Sequence, residues 1–149
     1  MIDGKLSDNE WTDARQTALR DGVELYIKVH EPFVLIAIAF PKGKYGFTDL
    51  IINENLDLHA SAKLGERIRA SRGNWPEWSW WNNDRWTANT TRVDDFAGPR
   101  LLKENVREYQ IRRERFAGND IRVKVLSTIM KDNQRDAEWH SESLTFHLP

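Results

Sequence analysis

Apolar and polar positions alternate along much of the chain, a pattern typical of β-strands with one buried face. The alternation is clearest at residues 23–29 and again at residues 144–148. Residues 33–40 are apolar at every position, which predicts a central strand with both faces covered. Further strands are predicted at residues 47–53, 56–62, 86–93, 106–113 and 121–129, the last with a bend near Ser127. Many short strands at this spacing indicate an antiparallel β-sandwich, of the jelly-roll or immunoglobulin-like kind.

One short helix is predicted before the first strand. Ser7 and Glu10 have the spacing of a capping box, in which each side chain bonds the backbone N–H of the other residue. The predicted helix covers about residues 8–15 and packs Trp11 against the sheet.

Composition narrows the class of protein. The 149 residues fit one domain, and we read residues 1–149 as a single β-sandwich domain. The absence of cysteine excludes a disulfide scaffold, a thiolate zinc site and a cysteine nucleophile. Lys and Arg number 22 against 23 Asp and Glu, so we expect no nucleic-acid partner.

The longest apolar run is too short for a membrane span. The opening residues have no signal-peptide pattern.

The tryptophans are unevenly distributed, since five of the seven lie within residues 75–86. The same segment contains Asn, Asp and Arg, which favour loops over cores. Exposed indoles stack on flat partners such as sugar rings, nucleobases and cations, while polar neighbours bond the partner's edges. The candidate ligand-binding residues are Trp75, Trp78, Trp80, Trp81, Asn82, Asn83, Asp84 and Arg85. Trp75 and Trp78 are the better candidates for exposed platforms, and Trp86 is expected in the core.

The sequence gives weaker signals for metal-binding, anion-binding or catalytic residues. The histidines lack metal-ligand spacing and are interpreted as surface or strand residues: His30, His59, His140 and His147. Arg67 and Arg69 precede the tryptophans, either as ligand contacts or as charges that protect an edge strand. Ser-His-Asp chemistry stays open, although no GxSxG nucleophile elbow is present.

The opening residues 2–14, Ile-Asp-Gly-Lys-Leu-Ser-Asp-Asn-Glu-Trp-Thr-Asp-Ala, resemble the opening of family 9 carbohydrate-binding modules and of their relatives in the DOMON-like superfamily. Similar blocks follow in the same order: the apolar run at 34–39, Trp86-Thr87-Ala88, and the turn at Arg115-Phe116. The chain departs from the family pattern at Asn89, where the family has Glu, and at residues 49–53, where the family strand is more acidic. The resemblance implies a β-sandwich of periplasmic or secreted proteins, sugar binding between tryptophans, and bound calcium.

These features together predict a non-catalytic carbohydrate-binding module that uses the Trp-rich loop, with no catalytic residues. The resemblance also leaves open a haem or redox domain, with Met130 and either His59 or His140 as axial ligands. A third alternative is a protein-interaction domain of a larger exported protein, with the tryptophans as the contact.

Overall fold

The computed structural model describes residues 2, 4–6, 9–70, 73–80, 86–95, 98–101 and 104–149. Within these residues the chain forms thirteen strands and a single 3-10 turn at Arg113–Arg115. The strands are β1 (Arg15–Ala18), β2 (Glu24–His30), β3 (Phe33–Ala39), β4 (Tyr45–Ile52), β5 (Leu56–Ala60), β6 (Leu64–Ile68), β7 (Trp86–Ala88), β8 (Arg92–Asp95), β9 (Gly98–Leu101), β10 (Val106–Arg112), β11 (Asp120–Lys131), β12 (Gln134–His140) and β13 (Leu144–His147).

The strands form two large antiparallel sheets that pack face to face, so the predicted β-sandwich is confirmed. Sheet A has the order β1-β2-β3-β10-β7, and sheet B has the order β12-β11-β4-β5-β6. β13 pairs with the part of β11 that β12 leaves free, and β8 and β9 form a separate hairpin. No helix among the described residues is long and apolar enough to span a bilayer.

The core lies between the inner faces of the two sheets, where alternate residues of each strand are buried. Two polar side chains of β10 cross this core to the backbone of β4. The Tyr109 hydroxyl lies 2.5 Å from Thr48 Oγ1 and donates to the Thr48 carbonyl oxygen at 3.1 Å. Arg107 Nη2 donates to the Gly46 carbonyl oxygen at 3.0 Å. These bonds satisfy buried polar groups and join β10 to β4 across the core.

The apolar strand predicted at residues 33–40 is confirmed as β3, which lies inside sheet A between β2 and β10. Its inner face contributes to the main core. Its outer face packs Ala37 and Ala39 against the buried indole of Trp11. Because the N-terminal segment covers this outer face, the strand is apolar on both sides.

The predicted N-terminal helix is wrong. Residues 9–14 form turns, and β1 begins at Arg15 and pairs with β2. Ser7 and Asp8 lie outside the described residues. Two bonds to the Glu108 carboxylate hold this segment on the sheet, from the Trp11 indole N–H at 3.3 Å and from the Gly4 N–H at 2.9 Å. An eight-residue helix is marginal by itself, and these contacts bury Trp11, as predicted, without one.

Replacement of Ile36 by Ala tests the packing of β3. Ile36 is fully buried, so the substitution should lower the free energy of unfolding by about 2–5 kcal/mol. Chemical denaturation of the two proteins measures the difference. Ile68→Ala is the matched control, because Ile68 is 49% exposed and should change stability by less than about 1 kcal/mol. An equal effect of the two substitutions would contradict the burial of β3.

Candidate functional site

The described part of the Trp-rich segment, residues 73–80, runs along β6 at the edge of sheet B. Ser79 and Glu66 exchange two backbone hydrogen bonds, of 2.8 and 3.0 Å, in an isolated antiparallel bridge. This bridge places Trp80 opposite Gly65 and Trp78 opposite Arg67. The segment therefore covers part of a strand edge that would otherwise leave its backbone groups unpaired.

Cationic side chains and indoles alternate along this edge. The Arg67 guanidinium lies 4.3 Å from the ring centre of Trp78 and 4.9 Å from that of Trp75. Arg69 lies 4.1 Å from the Trp75 ring centre, and the Lys63 ammonium lies 4.3 Å from that of Trp80. Each such contact contributes about 0.5–1 kcal/mol at an exposed site. We call this set the edge stack: Lys63, Arg67, Arg69, Trp75, Trp78 and Trp80.

Gly65 makes room for the edge stack. A Cβ atom at this position would lie 2.7 Å from Trp80 Cε3 and 3.3 Å from Trp78 Cε3. The two indoles therefore pack directly on the backbone of β6, with their ring centres 5.4 Å apart. A side chain at residue 65 would displace them.

The structure changes the ranking of the sequence-predicted platforms. Trp80 is 44% exposed, whereas Trp75 and Trp78 are less exposed and lie half-buried within the edge stack. Trp86 is buried in the core, as predicted. The remaining predicted ligand-binding residues, Trp81, Asn82, Asn83, Asp84 and Arg85, lie outside the described residues.

His59, which sequence analysis interpreted as an ordinary strand residue, connects the edge stack to the outer face of sheet B. Its ring centre lies 5.5 Å from that of Trp78 and 5.6 Å from that of Trp80. Its Nδ1 atom lies 2.5 Å from Asp49 Oδ1, and its Nε2 atom lies 2.8 Å from Ser61 Oγ. The three side chains form a continuous hydrogen-bonded row, which we call the Asp49–His59–Ser61 relay.

A second carboxyl group, that of Asp57, is buried beside the relay. Its Oδ2 atom accepts hydrogen bonds from Arg67 Nε at 3.0 Å and Nη2 at 2.9 Å. Its Oδ1 atom has no donor among the described residues. Burial, with the nearby charge of Asp49, raises the pKa of Asp57 to about 7 despite the opposing effect of Arg67.

Two grooves lie side by side on the outer face of sheet B and share His140. The first has a volume of about 330 Å³ and combines apolar side chains with carboxylates and imidazoles. Its lining includes Phe47, Asp49, His59, Leu126, Glu138 and His140. The second, of about 410 Å³, is rich in cationic side chains, with Arg69, Arg122 and Lys124 in its lining. The indoles of Trp78 and Trp80 border the first groove through His59 rather than line it.

The described residues also bear on metal and haem binding. In the part of the chain that the structure describes, no three His, Asp or Glu side chains are grouped to hold a metal ion. The calcium that the family resemblance implies stays a prediction. Both ring nitrogens of His59 are hydrogen-bonded, and this favours a role other than iron ligation.

Comparison with known proteins identifies no relative of this chain. No protein-family model matches the chain, and neither the curated proteins nor the solved structures searched give a significant match. The resemblance to family 9 carbohydrate-binding modules stays a prediction.

Replacement of Gly65 by Ala tests the edge stack. The added methyl group cannot coexist with Trp80 in its present place, so the variant should lose about 1–3 kcal/mol of stability. Its tryptophan emission should shift to the red as the indoles move into water. A double-mutant cycle with Trp80→Ala provides the control, because without the Trp80 indole the cost of Gly65→Ala should fall. Additive effects would show that the two residues do not compete for space.

The pKa of Asp57 predicts how stability depends on pH. Its pKa in the folded protein, about 7, lies above the ordinary value of 3.8, so the native state holds this proton more tightly. The contribution of Asp57 to stability is complete below the ordinary value and is lost as the pH rises from about 4 to about 7. Asp57→Asn has no titrating proton at this position, so its stability should fall less over the same window. Urea unfolding at the two pH limits measures the difference, and parallel curves would refute the prediction.

Proposed function

We propose that this domain binds carbohydrate on the outer face of sheet B, with Trp80 as the stacking platform. The observation that carries the proposal is the 44% exposed indole of Trp80 next to a groove of hydrogen-bonding side chains. A sugar presents an apolar C–H face and a rim of hydroxyl groups. An indole beside carboxylates and imidazoles matches both parts of such a ligand.

The first groove supports this proposal by its shape and its chemistry. Its volume of about 330 Å³ lies at the lower end of the range for small-molecule sites, about 300–1,000 Å³. The carboxylates of Asp49 and Glu138 accept hydrogen bonds from hydroxyl groups. Phe47 and Leu126 provide apolar contact between these polar groups.

Trp80 is a better subject for mutation than Trp78. Trp78 packs against Arg67, Trp80 and His59, so its loss would disturb the edge stack as well as any ligand. Trp80 also packs on Trp78 and His59, but it is 44% exposed and therefore leaves more of its ring free for a ligand.

Trp80→Ala should weaken glycan binding by about 5- to 150-fold, because stacking on one aromatic platform contributes about 1–3 kcal/mol. A glycan array first identifies a ligand of the wild-type protein, and isothermal titration calorimetry then compares the variants. Trp75→Ala is the matched control: it removes an indole stacked on Arg67 and Arg69. This control should retain the affinity.

Two outcomes would overturn the proposal. If no glycan binds the wild-type domain, the edge stack serves the fold or a protein partner. If Trp75→Ala and Trp80→Ala weaken binding equally while both lower stability, the indoles act through the fold rather than through the ligand.

A further inference from the structure

We propose that the Asp49–His59–Ser61 relay makes Ser61 a nucleophile toward small carboxylic esters, an activity beyond carbohydrate binding. The two distances along the relay, 2.5 Å and 2.8 Å, are hydrogen-bond lengths. They join the atoms that nucleophilic hydrolysis requires, a carboxylate on Nδ1 and a hydroxyl on Nε2. The same constellation occurs on unrelated folds and is recognised by geometry rather than by sequence position.

The hydrogen bonds also fix the tautomer of His59. An ionised Asp49 can only accept a hydrogen bond, so Nδ1 must carry the proton. The Nε2 atom of the neutral ring is then an acceptor, and Ser61 donates its hydroxyl proton to it. This is the tautomer in which His59 can serve as a general base for Ser61.

Strand pairing and the indoles hold the relay in place. Asp49 and His59 are directly opposed residues of β4 and β5. Ser61 follows His59 by two residues, on the same side of the chain. Trp78 and Trp80 lie against the imidazole and restrict its rotation. Two of the three side chains lie on paired strands and the third begins the adjoining turn, an arrangement that preorganises the group as a reactive site requires.

The surroundings of Ser61 suit a small acyl group. Ser61 bonds His59, and His59 lines the first groove together with Phe47 and Leu126. Phe47 and Leu126 line the first groove and can receive the acyl chain.

The reaction proceeds in two balanced steps. Ser61 Oγ attacks the ester carbonyl carbon while His59 Nε2 takes the hydroxyl proton. The C–O bond to the leaving group breaks, and His59 gives its proton to the departing oxygen, releasing an alcohol and leaving acyl-Ser61. A water molecule then attacks the acyl group and gives a proton to His59. Ser61 Oγ leaves and takes that proton back, and the carboxylic acid is released. Asp49 acts as a positioning residue throughout.

The test uses the full chain, a fluorophosphonate probe and p-nitrophenyl acetate. The probe should label one serine, identified as Ser61 by mass spectrometry of the digested protein, and the ester should release p-nitrophenol. Ser61→Ala and His59→Gln should each lower the labelling rate and the ester turnover by about 100-fold or more. Ser143→Ala, a change at an exposed serine of the second groove, is the control and should leave both rates unchanged.

Asp49→Asn separates positioning from a purely structural contribution. The asparagine keeps the size of the side chain but favours the wrong tautomer of His59, so turnover should fall while the melting temperature changes little. If the probe labels no serine, or labels Ser61 equally in folded His59→Gln protein, the relay is only a structural hydrogen-bond network. Glycan binding, measured separately with Trp80→Ala, does not depend on this result.

Discussion

The stack of cations and indoles along β6 is the interaction on which the outer face of sheet B depends. The segment 73–80 meets β6 through one backbone bridge, and each of its two hydrogen bonds contributes only about 1 kcal/mol net. The cation–indole contacts of the edge stack, the packing on the Gly65 backbone and the hydrogen bond from Arg69 to the Gly73 carbonyl oxygen add to this attachment. The indoles of Trp78 and Trp80 also pack on His59. The residues that cover the strand edge therefore also hold the geometry of the relay.

The relay also depends on the packing of the opposite face. Leu50 and Leu58 are fully buried in the core, so strand alternation sends Asp49 and His59 outward. A shift of one residue in the pairing of β4 and β5 would exchange these faces and is therefore strongly disfavoured. The bond between Tyr109 and Thr48 fixes β4 against sheet A. The position of the outer polar side chains thus follows from the inner apolar ones.

The sequence predicted those parts of the structure that depend on local pattern. Period-two alternation and the apolar run at residues 33–40 gave the sandwich and its central strand. The helix prediction failed because the capping pattern around Ser7 says nothing about Glu108, which lies 97 residues beyond Trp11 and holds its indole. The ranking of the tryptophans reversed for a similar reason. Exposure depends on the residue opposite each indole across β6, and this pairing is not visible in the segment itself.

The relay around His59 is only partly predictable from the sequence. The polar residues of β5 and the following turn alternate with Leu56, Leu58 and Ala60, so their common face could have been predicted. Their partner Asp49 lies on another strand, and only the register of β4 and β5 brings the two side chains together.

The outer face of sheet B departs from ordinary strand chemistry in several ways at one place. Asp57 is fully buried with one carboxyl oxygen unpaired among the described residues, and Gly65 occupies a position within β6 where a side chain would collide with Trp80. When apolar side chains of similar volume replace a buried ion pair such as Asp57–Arg67, the free energy of unfolding often stays the same or rises. Charged residues alone would also protect the edge of β6 without covering His59. Costly features that gather around one groove are typical of functional sites, where natural sequences give up some local stability. The coincidence of these features with the relay, the exposed indole and the groove is the reason why we place the proposed ligand site on this face of the sheet.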